Sequence, residues 1–225
     1  MPSITKTAHF TCSAFVTALS VGVMGFSMST EWAQTSMECA SGGSGFFNGT
    51  AVITLELFAG NLNRSFCPLF GSIDSFKEIG ATPVALHAIV LCLLALCLLF
   101  SAGSILLGLY NSVSNPYETY MGPMGVYVCS SLSACLSVVV LVVFLVNVSV
   151  TDLAEDLVET FSGSIAVDLK NKTSKMRLGY YLIIPYTVLS IAALALIYMY
   201  DHAAYKHRQE QQRPTEDAPK EIMMY

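Results

Sequence analysis

Polar and apolar positions fall along this chain in blocks. No Asp, Glu, Lys or Arg occurs in 7–30, 79–117, 119–151 or 178–200. A helix needs about 20 mostly apolar residues to cross about 30 Å of hydrocarbon, and each block is long enough. The blocks predict transmembrane helices over about 9–29, 84–108, 125–148 and 179–200. The competing reading makes each block a buried helix of a soluble core. It would need every one of them to be buried all round in a chain of 225 residues. Uncharged runs of this length argue for membrane spans. The first block has a second rival, since Lys6, an apolar run and the small residues Ser27 and Ser29 follow the order of a cleaved signal peptide. Its apolar run exceeds the usual 7–15 residues of such a segment, so a retained helix is expected.

The intervening segments carry a different pattern. In "AVITLELF", Ile53, Leu55 and Leu57 alternate with Val52, Thr54 and Glu56, which predicts a half-buried strand in the loop 30–83. Trp32 and "AQTSMEC" fit a second strand starting at the membrane, with the glycine-rich "SGGSGFFNG" turning between them. "SFKE" at Ser75 to Glu78 has capping-box spacing and predicts a short helix before the second span. Between the second and third spans, Asn115–Pro116 and Gly122–Pro123 are turn formers in a short loop, 109–124. Tyr117 and Tyr120 there, and Tyr127 at the start of the third span, suit the headgroup zone. In the loop 149–178, "DLAEDLVETF" places Leu153, Leu157 and Phe161 on one helical face, so the third helix is expected to run on beyond the bilayer. The tail, 201–225, is polar and proline-interrupted, and disorder is expected for it. The expected fold class is therefore a membrane protein, mainly α, with a four-helix bundle and a small extracellular β-sheet in the first loop.

Composition agrees, with 54% hydrophobic and only 12% charged residues, against about 25% charged in soluble domains. Charge leaves orientation nearly undecided. Lys6, Lys206, Arg208, Arg213 and Lys220 lie on one side, and Arg64, Lys77, Lys170, Lys172, Lys175 and Arg177 on the other. Sequons at Asn48, Asn63 and Asn171 all fall in the two loops that share a face, which makes that face lumenal or extracellular. Both termini are then cytoplasmic. A further sequon at Asn147 reads as a polar helix end. Cys39 and Cys67 occupy the first of those loops, where an oxidising compartment permits a disulfide worth about 3 kcal/mol. Cys12, Cys92, Cys97, Cys129 and Cys135 lie in spans and read as small packing residues.

Chemistry is sparse. A net charge of −5 gives no basic footprint for nucleic acid. There is no C-x-x-C or Cys/His cluster for zinc, no P-loop, G-x-S-x-G or H-E-x-x-H, and no cofactor is expected. His87, near the outer end of the second span, is the lone ionisable candidate inside the membrane, and a hydrogen bond to a neighbouring backbone carbonyl is its expected role. Pairs with small-xxx-small spacing, Ala18–Gly22 and Ser104–Gly108, permit close helix contact within the bundle or between copies. The last residues, Met223, Met224 and Tyr225, would suit strand addition to a PDZ-like groove.

Several stretches carry a family resemblance. "YNSVSNPYETYMGPMGVY" resembles the intracellular loop of clarins, with the turn Asn115, Pro116, Tyr117 and the "GPxGxY" residues Gly122, Pro123, Gly125 and Tyr127. "ALHAIVL" around His87 is similar to the start of the second clarin helix, and "LELFAG" matches the first-loop segment at Leu57, Phe58 and Gly60, with Glu56 in place of a glycine. The resemblance implies a claudin-like tetraspan with a sheet-bearing first loop. It departs from claudins proper. Trp32 fits their W…GLW…C…C pattern, but Leu57–Phe58 lacks its glycine and tryptophan, and only Cys67 follows. A paracellular seal is therefore not implied. Clarins are associated with sensory hair cells, where they organise membrane complexes. The expected function is a non-enzymatic, multi-pass plasma-membrane protein that organises partners laterally and through its tail. The alternatives are an auxiliary ion-channel subunit and, behind it, cell–cell adhesion.

Overall fold

The computed structural model describes residues 4–41, 49–65, 81–113, 122–151, 153–162 and 167–212. Its elements run α1 (Ile4–Met28), β1 (Ala33–Ser41), β2 (Gly49–Leu55), β3 (Gly60–Ser65), α2 (Ala81–Val113), α3 (Gly122–Ser149), α4 (Leu153–Ser162), β4 (Val167–Met176) and α5 (Leu178–Gln212). Four of the helices, α1, α2, α3 and α5, are long and apolar enough to cross a membrane. In hydrocarbon every backbone N–H and C=O must be satisfied within the segment, so these runs, valine-rich α3 included, become helices despite their β-branched residues. The sequence placed all four spans, but the helices are longer than expected at both ends of the bundle. In particular α5 continues to Gln212, so the tail expected to be disordered from 201 starts as a helix. Pro185 lies inside α5 without ending it.

α1 packs on α2 and α5, and α3 packs on the same two helices, which closes a ring. Hydroxyl groups tie the ring together. Ser13 Oγ donates to Ala193 O at 3.1 Å, Ser104 Oγ meets Ser130 Oγ at 2.9 Å, and Ser137 Oγ meets Thr187 Oγ1 at 2.8 Å. Across the ring, Ser101 Oγ and Tyr186 Oη are 2.8 Å apart. Small residues bring the axes close enough for these bonds. A Cβ on Gly108 would lie 3.3 Å from Ala14 Cβ, whereas one on Gly22 would meet nothing within 4 Å. The Ser104–Gly108 pair thus serves the bundle, and Ala18 and Gly22 face outward. Removing the Tyr186 hydroxyl (Tyr186→Phe) should cost about 0.6 kcal/mol and no more than about 1.7, the range measured for hydrogen bonds between membrane helices. The unfolding midpoint in a detergent titration reads this cost. Ser131→Ala should leave the midpoint unchanged, because that exposed hydroxyl bonds only its own helix.

A four-stranded antiparallel sheet in the order β3-β2-β1-β4 stands at one end of the bundle. Both strands read from the sequence are present, and Ala33, Thr35, Met37, Cys39, Ala51, Ile53 and Leu55 form its buried face. Two features were not anticipated. The second loop contributes β4, so the sheet joins both loops and does not belong to the first alone. The third helix also does not run on. It ends at Ser149, Val150 and Thr151 make a turn, and α4 starts separately at Leu153. Thr151 Oγ1 donates back to Asn147 O and competes with continuation of the helix. The apolar stripe of α4 still does the packing expected of it. Leu153, Ala154, Leu157 and Val158 join Met37, Ile53, Leu55 and Leu57 in one core with Met24, Phe144 and Tyr186 of the helices. The short helix expected at 75–78 and the glycine-rich turn of 42–48 lie outside the described residues.

Candidate functional site: the junction of sheet and helix ends

Trp32 is the hinge point between the two layers, and it is fully buried. Its N–H donates to Leu55 O at 2.8 Å, its C=O accepts from Arg177 N at 2.9 Å, and its indole Nε1 donates to Ser27 O at 2.8 Å. One residue therefore links α1, β2 and the lead-in to α5. The ring meets Phe144 of α3 edge-on, with centroids 4.9 Å apart, a favoured geometry for aromatic pairs. The ring also lies against Gly179, where a Cβ would sit 2.4 Å from Trp32 Cδ1. Gly179 N donates to Glu31 O at 2.8 Å, and Gly179 O accepts from Ser27 Oγ at 2.7 Å. Arg177 also pairs with Glu31 at 3.8 Å. This pair is about half exposed and adds little. The sequence singled out Trp32 but not Ser27 as its acceptor, nor Gly179 as the floor of its pocket.

A second link lies across the bundle. The β2–β3 hairpin closes with Glu56 N donating to Ala59 O at 2.9 Å, and its tip dips toward α2. Leu57 is buried, and its carbonyl lies 2.7 Å from His87 Nε2. This is the backbone contact the sequence predicts for His87, and it brings together two stretches that carry the family resemblance, "LELFAG" and "ALHAIVL". Gly60 is buried at the start of β3, and Phe58 stays 67% exposed at the hairpin tip. Asn147, the sequon set aside as a helix end, is fully buried and donates from Nδ2 to Pro83 O at 3.3 Å, which ties α3 to the start of α2. Replacing His87 by alanine leaves the Leu57 carbonyl without this donor, at a cost of about 1–3 kcal/mol. Hydrogen exchange at residues 55–60 should speed up in that variant, while exchange in the centre of α3 should not change.

The remaining sequence candidates are spread over both ends. Asn63 lies on edge strand β3 and Asn171 on edge strand β4, both exposed. Asn63 pairs with Val52 on the solvent face, and the exposed Asn171 side chain reaches that of Glu38, so both occupy the solvent face of the sheet. Asn171 has φ 56° and marks a β-bulge, and its Nδ2 donates to Glu38 Oε2 at 2.7 Å. An amide nitrogen has two hydrogens, so N-linkage would leave one for this contact. Cys39 is disulfide-bonded, and Cys12, Cys92, Cys97, Cys129 and Cys135 are free thiols. Cys67 lies outside the described residues, as do Asn48, Asn115, Pro116, Tyr117, Met223, Met224 and Tyr225. At the other end of the bundle Asn111 Nδ2 donates to Gly122 O at 3.2 Å and draws together the ends of the 114–121 connection. Gly122 starts α3 with φ 30°, Pro123 and Gly125 follow in its first turn, and Tyr127 packs beside a small core of Phe10, Val126 and Ile197. Among the described residues no group of His, Cys, Asp or Glu is arranged to hold a metal ion.

No family model matches the chain. Comparison with curated proteins is more informative. Over its full length the chain is 33% identical to Clarin-3 of Mus musculus and 29% identical to Clarin-3 of Homo sapiens, each aligned along its own full length. A match to Clarin-1 of Homo sapiens is 27% identical and covers 62% of this chain and 56% of that protein. The tail's likeness to the third clarin paralogue, visible in "YKHRQEQQRP" and "EDAPKEIMMY", agrees with these full-length matches. With its four spans and the sheet fastened across their ends, the chain belongs to the clarin family of multi-pass membrane proteins.

Proposed function

We propose that this protein is a non-enzymatic organiser of membrane-protein complexes, held at the plasma membrane with both termini in the cytoplasm. The observation that carries this reading is the double fastening of the sheet, through Trp32 on one side and His87 on the other. A sheet held in this way is a platform fixed relative to the bilayer, suited to presenting one surface to neighbours. Its outward face is polar, with Gln34, Ser36 and Glu38 on β1 and Thr50 and Thr54 on β2. The outward Ala18–Gly22 face of α1 offers a place for lateral helix contact, where small residues let backbones approach. Glycans on Asn63 and Asn171 would stand on the polar face and guard both sheet edges, which argues against adhesion between cells through that face. The Cys39–Cys67 bridge and a PDZ-type contact at Met223, Met224 and Tyr225 complete the proposal. A sensory-cell role rests on the family resemblance alone.

Co-purification from native membranes in mild detergent tests this reading, comparing the intact chain with one lacking residues 222–225. Recovery of scaffold proteins that is lost on truncation supports an organiser tethered by its tail. Stoichiometric recovery of pore-forming subunits with both chains would instead establish the auxiliary-subunit alternative.

A further inference from the structure

Below the hairpin tip lies an apolar groove of about 260 Å³, lined by Leu57, Phe58, Val84, His87, Ala88, Leu91 and Leu153. Its long wall is one face of α2, and at 1.5 Å rise per residue it reaches from about 4 to 15 Å below the start of that helix at Ala81. Leu57 and Phe58 of the hairpin and Leu153 of α4 complete its lining. Its open side runs into the lipid-facing surface of α2, where Ala88 and Ile89 are exposed, and Phe58 stands exposed at its lip. The groove thus adjoins the lipid-facing surface of the spans. A recess in that position has a molar supply of hydrocarbon at its mouth, and an empty one forfeits dispersion contacts along its whole lining.

We infer that this groove binds one acyl chain of a phospholipid from the leaflet on the sheet side. Its size favours a slim, unbranched occupant, since it falls below the roughly 300 Å³ at which small-molecule sites begin. The bound chain contacts Leu57 and Phe58 from beneath while His87 holds the Leu57 carbonyl from the side. The lipid therefore braces the hairpin on α2. This inference depends on the membrane-spanning fold alone and is independent of the organiser reading.

The test uses the full chain in nanodiscs containing phosphatidylcholine with a photoactivatable diazirine on one acyl chain, followed by mapping of labelled residues. Labelling at 57–58 and 84–91 is expected to exceed that at the lipid-facing positions Leu99 and Leu106 several-fold. Ala88→Trp, which fills the groove from its open side, should remove this excess, while Leu99→Trp should preserve it. Uniform labelling along α2 in the unaltered protein would overturn the proposal, and that comparison needs no variant to fold. Preferential labelling by a photoactivatable sterol with no excess from the acyl probe would overturn it as well.

Discussion

Replacing Trp32 by alanine should cost about 3–5 kcal/mol, the range for removing a large aromatic side chain from a core. The ring is fully buried between Phe144 of α3 and Gly179 of α5, so a cavity would open where three helices and the sheet meet. The backbone bonds from Trp32 to Leu55 and Arg177 survive the substitution, but the indole bond to Ser27 O is lost as well. Trp32→Phe separates the two effects. It keeps most of the apolar volume and gives up the hydrogen bond, which is worth about 1 kcal/mol net. Unfolding of detergent-solubilised protein followed by circular dichroism should rank the midpoints wild type, Trp32→Phe, Trp32→Ala in descending order. Equal midpoints for all of them would mean that the junction contributes nothing to stability. Trp32 is the sole tryptophan, so its fluorescence in the unaltered chain reports directly on opening of the junction.

The second large effect is expected at Gly179, in the wall of the same pocket. A Cβ at Gly179 would approach Trp32 Cδ1 to 2.4 Å, Trp32 Nε1 to 2.7 Å and the Glu31 carbonyl oxygen to 2.9 Å. The ring is fully buried and tied to Ser27 O, and Glu31 O is held by Gly179 N. Overpacking of this kind costs about 1–3 kcal/mol, and Gly179→Val should reach the upper end of that range. Gly22→Val on the open face of α1 serves as the control and should leave stability nearly unchanged. The two junction predictions are coupled. In a Trp32→Ala background the clash with the ring is gone and only that with the Glu31 carbonyl remains, so Gly179→Val should then cost less than it does alone. A double-mutant cycle measures the difference, and strictly additive costs would show that the ring and Gly179 do not share a pocket.

The membrane spans were legible because the rule behind them is coarse. A charge-free run of sufficient length has few other fates. Strands β1 and β2 were legible because one face of each is buried, so period-2 alternation survives in "AVITLELF". Strand β4 was not legible, and its bulge explains why. The inward positions run Leu169, Lys172, Ser174 and Met176, and the extra residue at Asn171 shifts their parity midway. As an edge strand it also carries Lys170, Lys172 and Lys175, the charges that discourage further pairing and that read as loop in a sequence. The break between α3 and α4 was hidden because Thr151 and Asn147 look like ordinary helix positions until their hydrogen bond is seen. Of the candidate site, His87 and Trp32 were visible as unusual residues in unusual places. Their partners were not, because Leu57 and Ser27 take part through backbone carbonyls, which leave no trace in residue identity.

The central structural claim is that the sheet and the helix ends form one cooperative unit, and hydrogen exchange of the unaltered protein in nanodiscs tests it most directly. Amides of β1 and β2, the inner amides of β4 and those at the sheet-side end of α5 should exchange with similar opening free energies and respond together to denaturant, as one cooperative block does. A sheet that exchanges orders of magnitude faster than the adjoining helix ends, with its own denaturant response, would contradict the account and make the sheet a flexible attachment on the bundle.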